Sequence, residues 1–343
     1  GVFKNVTAST VILAIEKQKN YENECEVITD IESIENFAYS QKQLKQNSFL
    51  KNVSYAYNIH IDFESQSVID KISLNSNYFG EYCIDIIEGI VAHKVLISTE
   101  SSQNTFPLIE GKTIKRYYLQ KIKKHIEWDK SQIHRTRPDY LWKEKKKIVM
   151  QRISGGLMPL VATIDTNKNK AFASVNNIVL KEEFTHLYNF FTALLNSELI
   201  NWFYSISFSN RSNLTVNISK TFTEKLPING ITKYKEITII VDYLLNYKSD
   251  NTKNKELVLF FEQIINSVVY ELYFEQELKQ AKKQVLKHLA DLEPINDNMS
   301  KEEKLAIIQA EFVRLYHPEH PVRFAIETLD SIEEVRIIKE ALR

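Results

Sequence analysis

Lys147-Ile-Val-Met-Gln-Arg-Ile-Ser-Gly-Gly156 decides the fold. Its apolar run is too short for a helix and stops at a glycine pair, so it reads as a strand running into a turn. Leu160–Ile164 and Ala171–Leu180 read as two more strands, separated by the polar turn Asp165-Thr-Asn-Lys-Asn-Lys170, and a β-meander is expected. Upstream, Ile84, Ile86, Ile87, Ile90, Val91, Val95, Leu96 and Ile97 surround Gly89, a pattern of short strands about a turn rather than one helix. Downstream, Leu187, Phe190, Phe191, Leu194, Leu195, Leu199, Trp202, Phe203 and Ile206 recur at helical spacing, which predicts one amphipathic helix. Pro227 stops any helix and biases Leu226 to an extended form.

Beyond Gly230 the texture becomes helical. Ile237 to Leu245 mark one helix and Leu257 to Leu272 a longer one, while Ser300 with Glu303, and Ser331 with Glu334, have capping-box spacing. Near the start, Thr10-Val-Ile-Leu-Ala-Ile15 fits a buried strand whose upstream neighbour lies outside these residues, and Asn58–Phe63 fits a short strand. Gly1 in place of a methionine reads as a cut boundary or as a residue left after removal of a tag, with the natural chain expected to extend upstream. The fold class is α+β: 1–20 as terminal strands, 21–230 as a mixed or antiparallel β domain, and 231–343 as a mainly helical domain.

The 343 residues are 43% hydrophobic, with 17 Tyr and 18 Phe, enough for real cores. The net charge of zero hides blocks. Residues 1–110 hold 8 Lys/Arg against 15 Asp/Glu, whereas 111–152 hold 14 against 4. Such a basic stretch is a footprint for a polyanion. Cys25 and Cys83 are too few for a disulfide framework or a zinc ribbon, so a reducing compartment, the cytoplasm, is expected. No run of about 18 apolar residues and no signal peptide is present, so no membrane partner is expected.

Catalytic motifs are hard to find. The seven glycines never form G-x-G, and no two of the seven prolines are adjacent, so neither a Gly-rich cofactor turn nor a double-proline catalytic loop is present. Asp139 and Glu144 are too close in sequence for a hairpin to bring them onto one metal. His317 and His320 lack cysteine neighbours and helical spacing, which favours capping or surface roles. What remains suits DNA. Lys112, Lys115, Arg116, Lys121, Lys123 and Lys124, interleaved with Tyr117 and Tyr118, with Lys168 and Lys170 on the later turn, can neutralise phosphates. Arg152, Ser154, Asn210, Arg211, Asn213 and Thr215 are side-chain types that address base edges.

Four stretches together resemble the C-terminal part of TaqI-like adenine DNA methyltransferases, a group that includes many type IIG restriction-modification enzymes. They are Val2–Lys17, similar to the last strands of that family's catalytic domain; Pro107-Leu-Ile-Glu-Gly-Lys-Thr-Ile-Lys-Arg-Tyr-Tyr118; Lys147–Ser154 with Asn176-Asn177; and Leu194-Leu-Asn-Ser-Glu-Leu-Ile-Asn-Trp202 continuing to Leu226-Pro-Ile228. Val269-Tyr-Glu-Leu-Tyr273 is similar to a phrase found after that domain in longer members. The resemblance implies that 21–230 is a target-recognition domain for double-stranded DNA. It also implies that S-adenosylmethionine binds in a methyltransferase domain absent from this chain, the chain's other partner. Lys112 matches the basic residue opening the family's recognition domain, Arg152 and Ser154 match the segment after its central strand, and Asn210–Thr215 lies where the family approaches DNA. Two other readings stay open: the helical region as a docking module for a partner of a restriction-modification complex, and a fragment retaining nuclease activity.

Overall fold

The computed structural model describes residues 12–17, 23–33, 38–51, 57–59, 61–208, 216–248 and 254–343. The chain divides into two compact units, Gly1–His60 and Ile61–Arg343. In the first unit, β1 (Glu24–Ser33) and β2 (Ala38–Lys45) form an antiparallel hairpin with Glu24 opposite Lys45. The strand expected at Thr10–Ile15 is not found in its described part. Ile12–Lys17 have no regular structure, and Ile12 and Ile15 are exposed. No strand among the described residues lies beside them, and an apolar run without neighbours has nothing to be buried against.

The second unit opens with a correction. Asn58 and Ile59 are not in a strand, and Phe63 begins helix α1 (Phe63–Ser73), because the Asp62 side chain accepts a hydrogen bond from Ser65 N at 2.8 Å and caps it. The main strands then follow in order: β3 (Asn77–Tyr78), β4 (Cys83–Glu88), β5 (Val91–Ala92), β6 (Ile97–Ser98), β7 (Thr105–Ile109), β8 (His125–Glu127), β9 (Ile133–Arg135), β10 (Lys147–Gln151), β11 (Ile153–Ser154), β12 (Ala162–Asp165), β13 (Lys170–Ala171) and β14 (Val175–Leu180). A small hairpin pairing Ile114–Lys115 with Tyr118–Leu119 lies between β7 and β8, and a single helical turn, α2 (Tyr140–Lys143), precedes β10. The expected short strands about Gly89 and the strand leading into the glycine pair are present.

The central sheet runs β12-β10-β14-β4, antiparallel throughout. A meander would place β12 beside β14. Instead β10 lies between them, because β14 takes the other edge of β10, with Ile148 opposite Ile178. Both faces of this sheet are buried, which is why β10 reads as a continuous apolar run. Ile148, Met150, Ile164, Ile178 and Ile86 pack on the helices; Val149, Val175 and Val179 pack with Leu108, Ile126 and Trp142 beneath. That lower layer contains a second, mixed sheet, β13-β7-β8-β6, whose β13–β7 pairing is parallel.

On the upper face the expected single helix is two, α3 (Tyr188–Asn196) and α4 (Glu198–Phe208), broken where Ser197 turns extended at ψ 154°. The break has a cause in the side chains beside it. The outer edge of β12 has no strand partner, and Asn196 closes it: its Oδ1 accepts from Ala162 N at 2.9 Å and its Nδ2 donates to Ala162 O at 2.9 Å. Asn201 Oδ1 accepts from Leu160 N at 2.7 Å. These amides mimic a neighbouring strand and seal an edge that is otherwise open.

After β15 (Val216–Asn217) and α5 (Lys220–Thr223), Pro227 enters the short strand β16 (Pro227–Ile228), which pairs with β3. Helices α6 (Lys235–Lys248), α7 (Lys255–Tyr273), α8 (Glu275–Gln280), α9 (Lys301–Leu315), α10 (Pro321–Glu327) and α11 (Glu333–Ala341) complete the unit. The architecture is therefore α+β, with a helical C-terminal region. Gly230 marks a change of texture and not a gap in packing: Trp202 and Leu226 share one core with Ile240, Phe261 and Val268. The Ser300–Glu303 capping box forms at α9. The Ser331–Glu334 box does not, because Ser331 Oγ accepts from Lys283 and Glu334 pairs with Lys71.

Asn196→Ala would strand the buried Ala162 N–H, and an unsatisfied buried donor costs about 1–3 kcal/mol. The urea midpoint of the variant should fall accordingly. An unchanged midpoint would mean that the edge is closed by something else.

Candidate functional site

The end of the central sheet formed by Glu88, Gln151 and Val175 carries Arg152 and Ser154, two of the residues singled out in the sequence. Beyond Gln151 the chain continues through Arg152 into β11, which pairs with β15: Ile153 faces Asn217 and Ser154 faces Val216. Ile218 N donates to Arg152 O at 2.8 Å, and Asn176 Nδ2 donates to Ile218 O at 2.8 Å. This ribbon brings Arg152 and Ser154 beside the chain that emerges from the 209–215 segment. Asn210, Arg211, Asn213 and Thr215 themselves lie outside the described residues. At the tip, Gly156 takes φ +79°, with open space around the position a Cβ would occupy.

Glu88, the last residue of β4, gathers three guanidinium groups. Its Oε1 accepts from Arg135 Nη1 at 2.8 Å and from Arg137 Nη2; its Oε2 lies 3.2 Å from Arg152 Nε. Arg137 Nε also donates to Gly89 O at 3.1 Å, and Arg152 Nη1 to Ala173 O at 3.3 Å. Partial burial alone would raise the Glu88 carboxyl, but the Arg137 hydrogen bond and the fields of Arg152 and Arg137 outweigh it and hold the acid below its ordinary range. Gly89 fixes the position of the hub: a Cβ there would come within 2.1 Å of Ala171 O. Arg137 is held at φ +63°, an uncommon conformation for a non-glycine residue. Three cations against one anion leave this corner with a surplus of two positive charges.

The remaining sequence-derived residues separate into exposed and engaged groups. Lys112, 73% exposed, reaches Glu110 at 3.3 Å, and Lys115, Lys121 and Lys123 are exposed. Lys124 is tied to Glu110 at 2.8 Å. Arg116 is half-buried and donates to Met158 O at 3.1 Å; it lines a cavity of about 180 Å³ with Tyr117, Asn196, Glu262 and Asn266. It is therefore not the free surface cation expected. Lys168 is exposed at φ +55° on the turn after β12. The Asp165 carboxylate organises that turn, accepting from Asn167 N and Asn169 N at 3.0 Å and lying 3.3 Å from the buried Lys147.

Lys170 also departs from expectation. It is buried, with Nζ 4.0 Å from the Trp128 ring centre, 4.8 Å from Phe106 and 5.1 Å from Trp142. A surface phosphate cannot reach an amine enclosed this way; the ring faces take the place of an anion. Burial and the nearby Lys147 ammonium bring the Lys170 amine down to about 8.

Sequence reading misses Glu88, Arg135 and Arg137 as individuals. The available signal is Ile133-His-Arg-Thr-Arg137, a run of alternating cations inside the basic block, but its acidic partner lies far upstream and only the sheet joins them. Among the described residues no three His, Cys, Asp or Glu are grouped to hold a metal ion. Asp139 pairs with Lys130 at 2.7 Å, and His317 and His320 accept from Glu319 N and Val322 N, local capping bonds. No helix among the described residues is long and apolar enough to cross a membrane.

Comparison with known proteins falls on this same region. Residues 106–228 match the family model of the TaqI-like C-terminal specificity domain, so the resemblance carried by the motifs holds for that segment. A protein of Methanocaldococcus jannaschii, named as a putative type II restriction enzyme and methyltransferase, is 26% identical over 219 residues. The match covers 61% of this chain and 18% of that relative's length.

The lowered Lys170 amine has a testable sign. Above about pH 8 the folded chain has released this proton while the unfolded chain still holds it, so stability rises with pH towards the ordinary lysine range. Wild type should therefore gain stability relative to Lys170→Met between about pH 8 and pH 10. A difference in denaturation midpoint that stays flat across that window would show an unperturbed amine.

Proposed function

We propose that this chain is the sequence-specific double-stranded DNA-binding part of an adenine-specific (N6) DNA methyltransferase of a restriction-modification system, of the type IIG kind, acting in the cytoplasm. The single observation that carries the reading is the β11–β15 ribbon. It sets Arg152, Ser154, Val216 and Asn217 at one end of a doubly buried sheet, within the segment that matches the specificity-domain family. Residues that discriminate bases must be held rigidly, and a sheet packed on both faces supplies that.

The division of labour follows from chemistry. Methylating an exocyclic adenine nitrogen requires the base to leave the stack, so the duplex must be gripped while one nucleotide is turned out. The exposed Lys112, Lys115, Lys121, Lys123 and Lys168 would engage phosphates, and the ribbon with Asn210, Arg211, Asn213 and Thr215 would read base edges. Gly89 and Gly111 are packed against Ala171 O and Ser174 O, where a Cβ would stand 2.1 and 2.6 Å away, so their lack of a side chain serves close packing. In this proposal S-adenosylmethionine and the methyl transfer belong to a methyltransferase domain outside these 343 residues.

A chain making about six phosphate contacts should lose roughly a thousandfold in duplex affinity between about 50 and 200 mM salt. Selection from a randomised duplex pool should converge on one short sequence containing adenine. A flat salt response and a pool that never converges would contradict the proposal.

A further inference from the structure

We propose that Arg135, rather than Arg152, is the arginine that grips DNA with two parallel hydrogen bonds; this inference rests on the DNA-binding reading above. A bidentate grip needs two adjacent N–H groups on one edge of the guanidinium. Arg152 turns Nε towards Glu88 Oε2 at 3.2 Å and donates Nη1 to Ala173 O, and its side chain is 29% exposed. Arg137 has used Nε on Gly89 O and Nη2 on Glu88, and its side chain is only 17% exposed. Arg135 gives Glu88 a single bond through Nη1, and its side chain is 58% exposed. Among the described residues its Nε and Nη2, one complete edge, carry no hydrogen bond.

Two independent features of the backbone point the same way. The β9–β5 pairing shifts register between Ile133 and Arg135, and such irregularities re-aim a side chain out of a ladder. Two residues on, Arg137 stands at φ +63°, and strain of that kind persists where the surroundings enforce it, often beside a functional group. One carboxylate does not need three guanidiniums for neutrality, so the surplus charge is available to an anion or an electron-rich edge. The ligand chemistry is a pair of adjacent acceptors, present in duplex DNA both as phosphate oxygens and as guanine O6/N7.

The test measures binding of the full chain to its selected duplex for wild type, Arg135→Gln and Arg135→Lys, with thermal melting to show that each variant folds. Arg135→Gln should weaken binding about tenfold to hundredfold. Arg135→Lys should recover only a small part, because a lysine keeps the charge without the fork. An equal loss on every duplex, with the salt slope reduced by about one, identifies phosphate. A loss confined to duplexes keeping one particular guanine identifies the base. Unchanged binding by Arg135→Gln, or full recovery by Arg135→Lys, overturns the inference while leaving the DNA-binding reading intact. A wild-type chain that binds no duplex overturns both.

Discussion

The side-chain amides of Asn196 on the outer edge of β12 and of Asn201 on Leu160 just before it are the contacts on which the rest of the second unit depends. A strand at the margin of a sheet has polar backbone groups that must be satisfied, and here it lies under a helical layer where water cannot serve. Two asparagines at the junction of α3 and α4 supply the missing partners, and in doing so they fix how the helices sit on the sheet. Tyr117 N adds a bond to Ala162 O at 3.1 Å, tying the basic 111–152 segment to the same point.

From that anchor the consequences run across the sheet to its far corner. β12 pairs with β10, β10 with β14, and β14 with β4, so the positions of Arg152 and Glu88 are set by a continuous ladder. Helices cover one face and the small mixed sheet covers the other, which leaves the strand ends as the places where polar chemistry can face outward. Arg135, Arg137 and Arg152 come from one end of the basic block, and Glu88, far upstream in the chain, holds them together at one such end.

Much of this arrangement is legible in the order of the amino acids. The apolar run at Lys147, the turn about Gly89, the helices after Gly230 and the Ser300 cap follow from periodicity and local hydrogen bonding, and the fold contains them all. The asparagines inside the 194–202 phrase belong to a recognisable motif, yet their role as strand-edge partners needs β12 beside them, which no local rule supplies. The single helix expected over 187–206 fails for the same reason, since its apolar spacing continues through Ser197 while the backbone does not. Lys170 is misplaced by its charge, which suggests solvent, because the rings that enclose it, Phe106, Trp128 and Trp142, lie far upstream in the chain. The strand order escapes alternation because pairing across β10 is a long-range choice.

Hydrogen–deuterium exchange of the chain with and without its selected duplex tests the central claim most directly. Recognition through the corner of the sheet predicts new protection at residues 133–137 and 152–154, with α7 and α9 unchanged. Protection confined to α7 and α9, with the strand ends exchanging as in the free chain, would contradict it and would make the helical layer the DNA-facing surface.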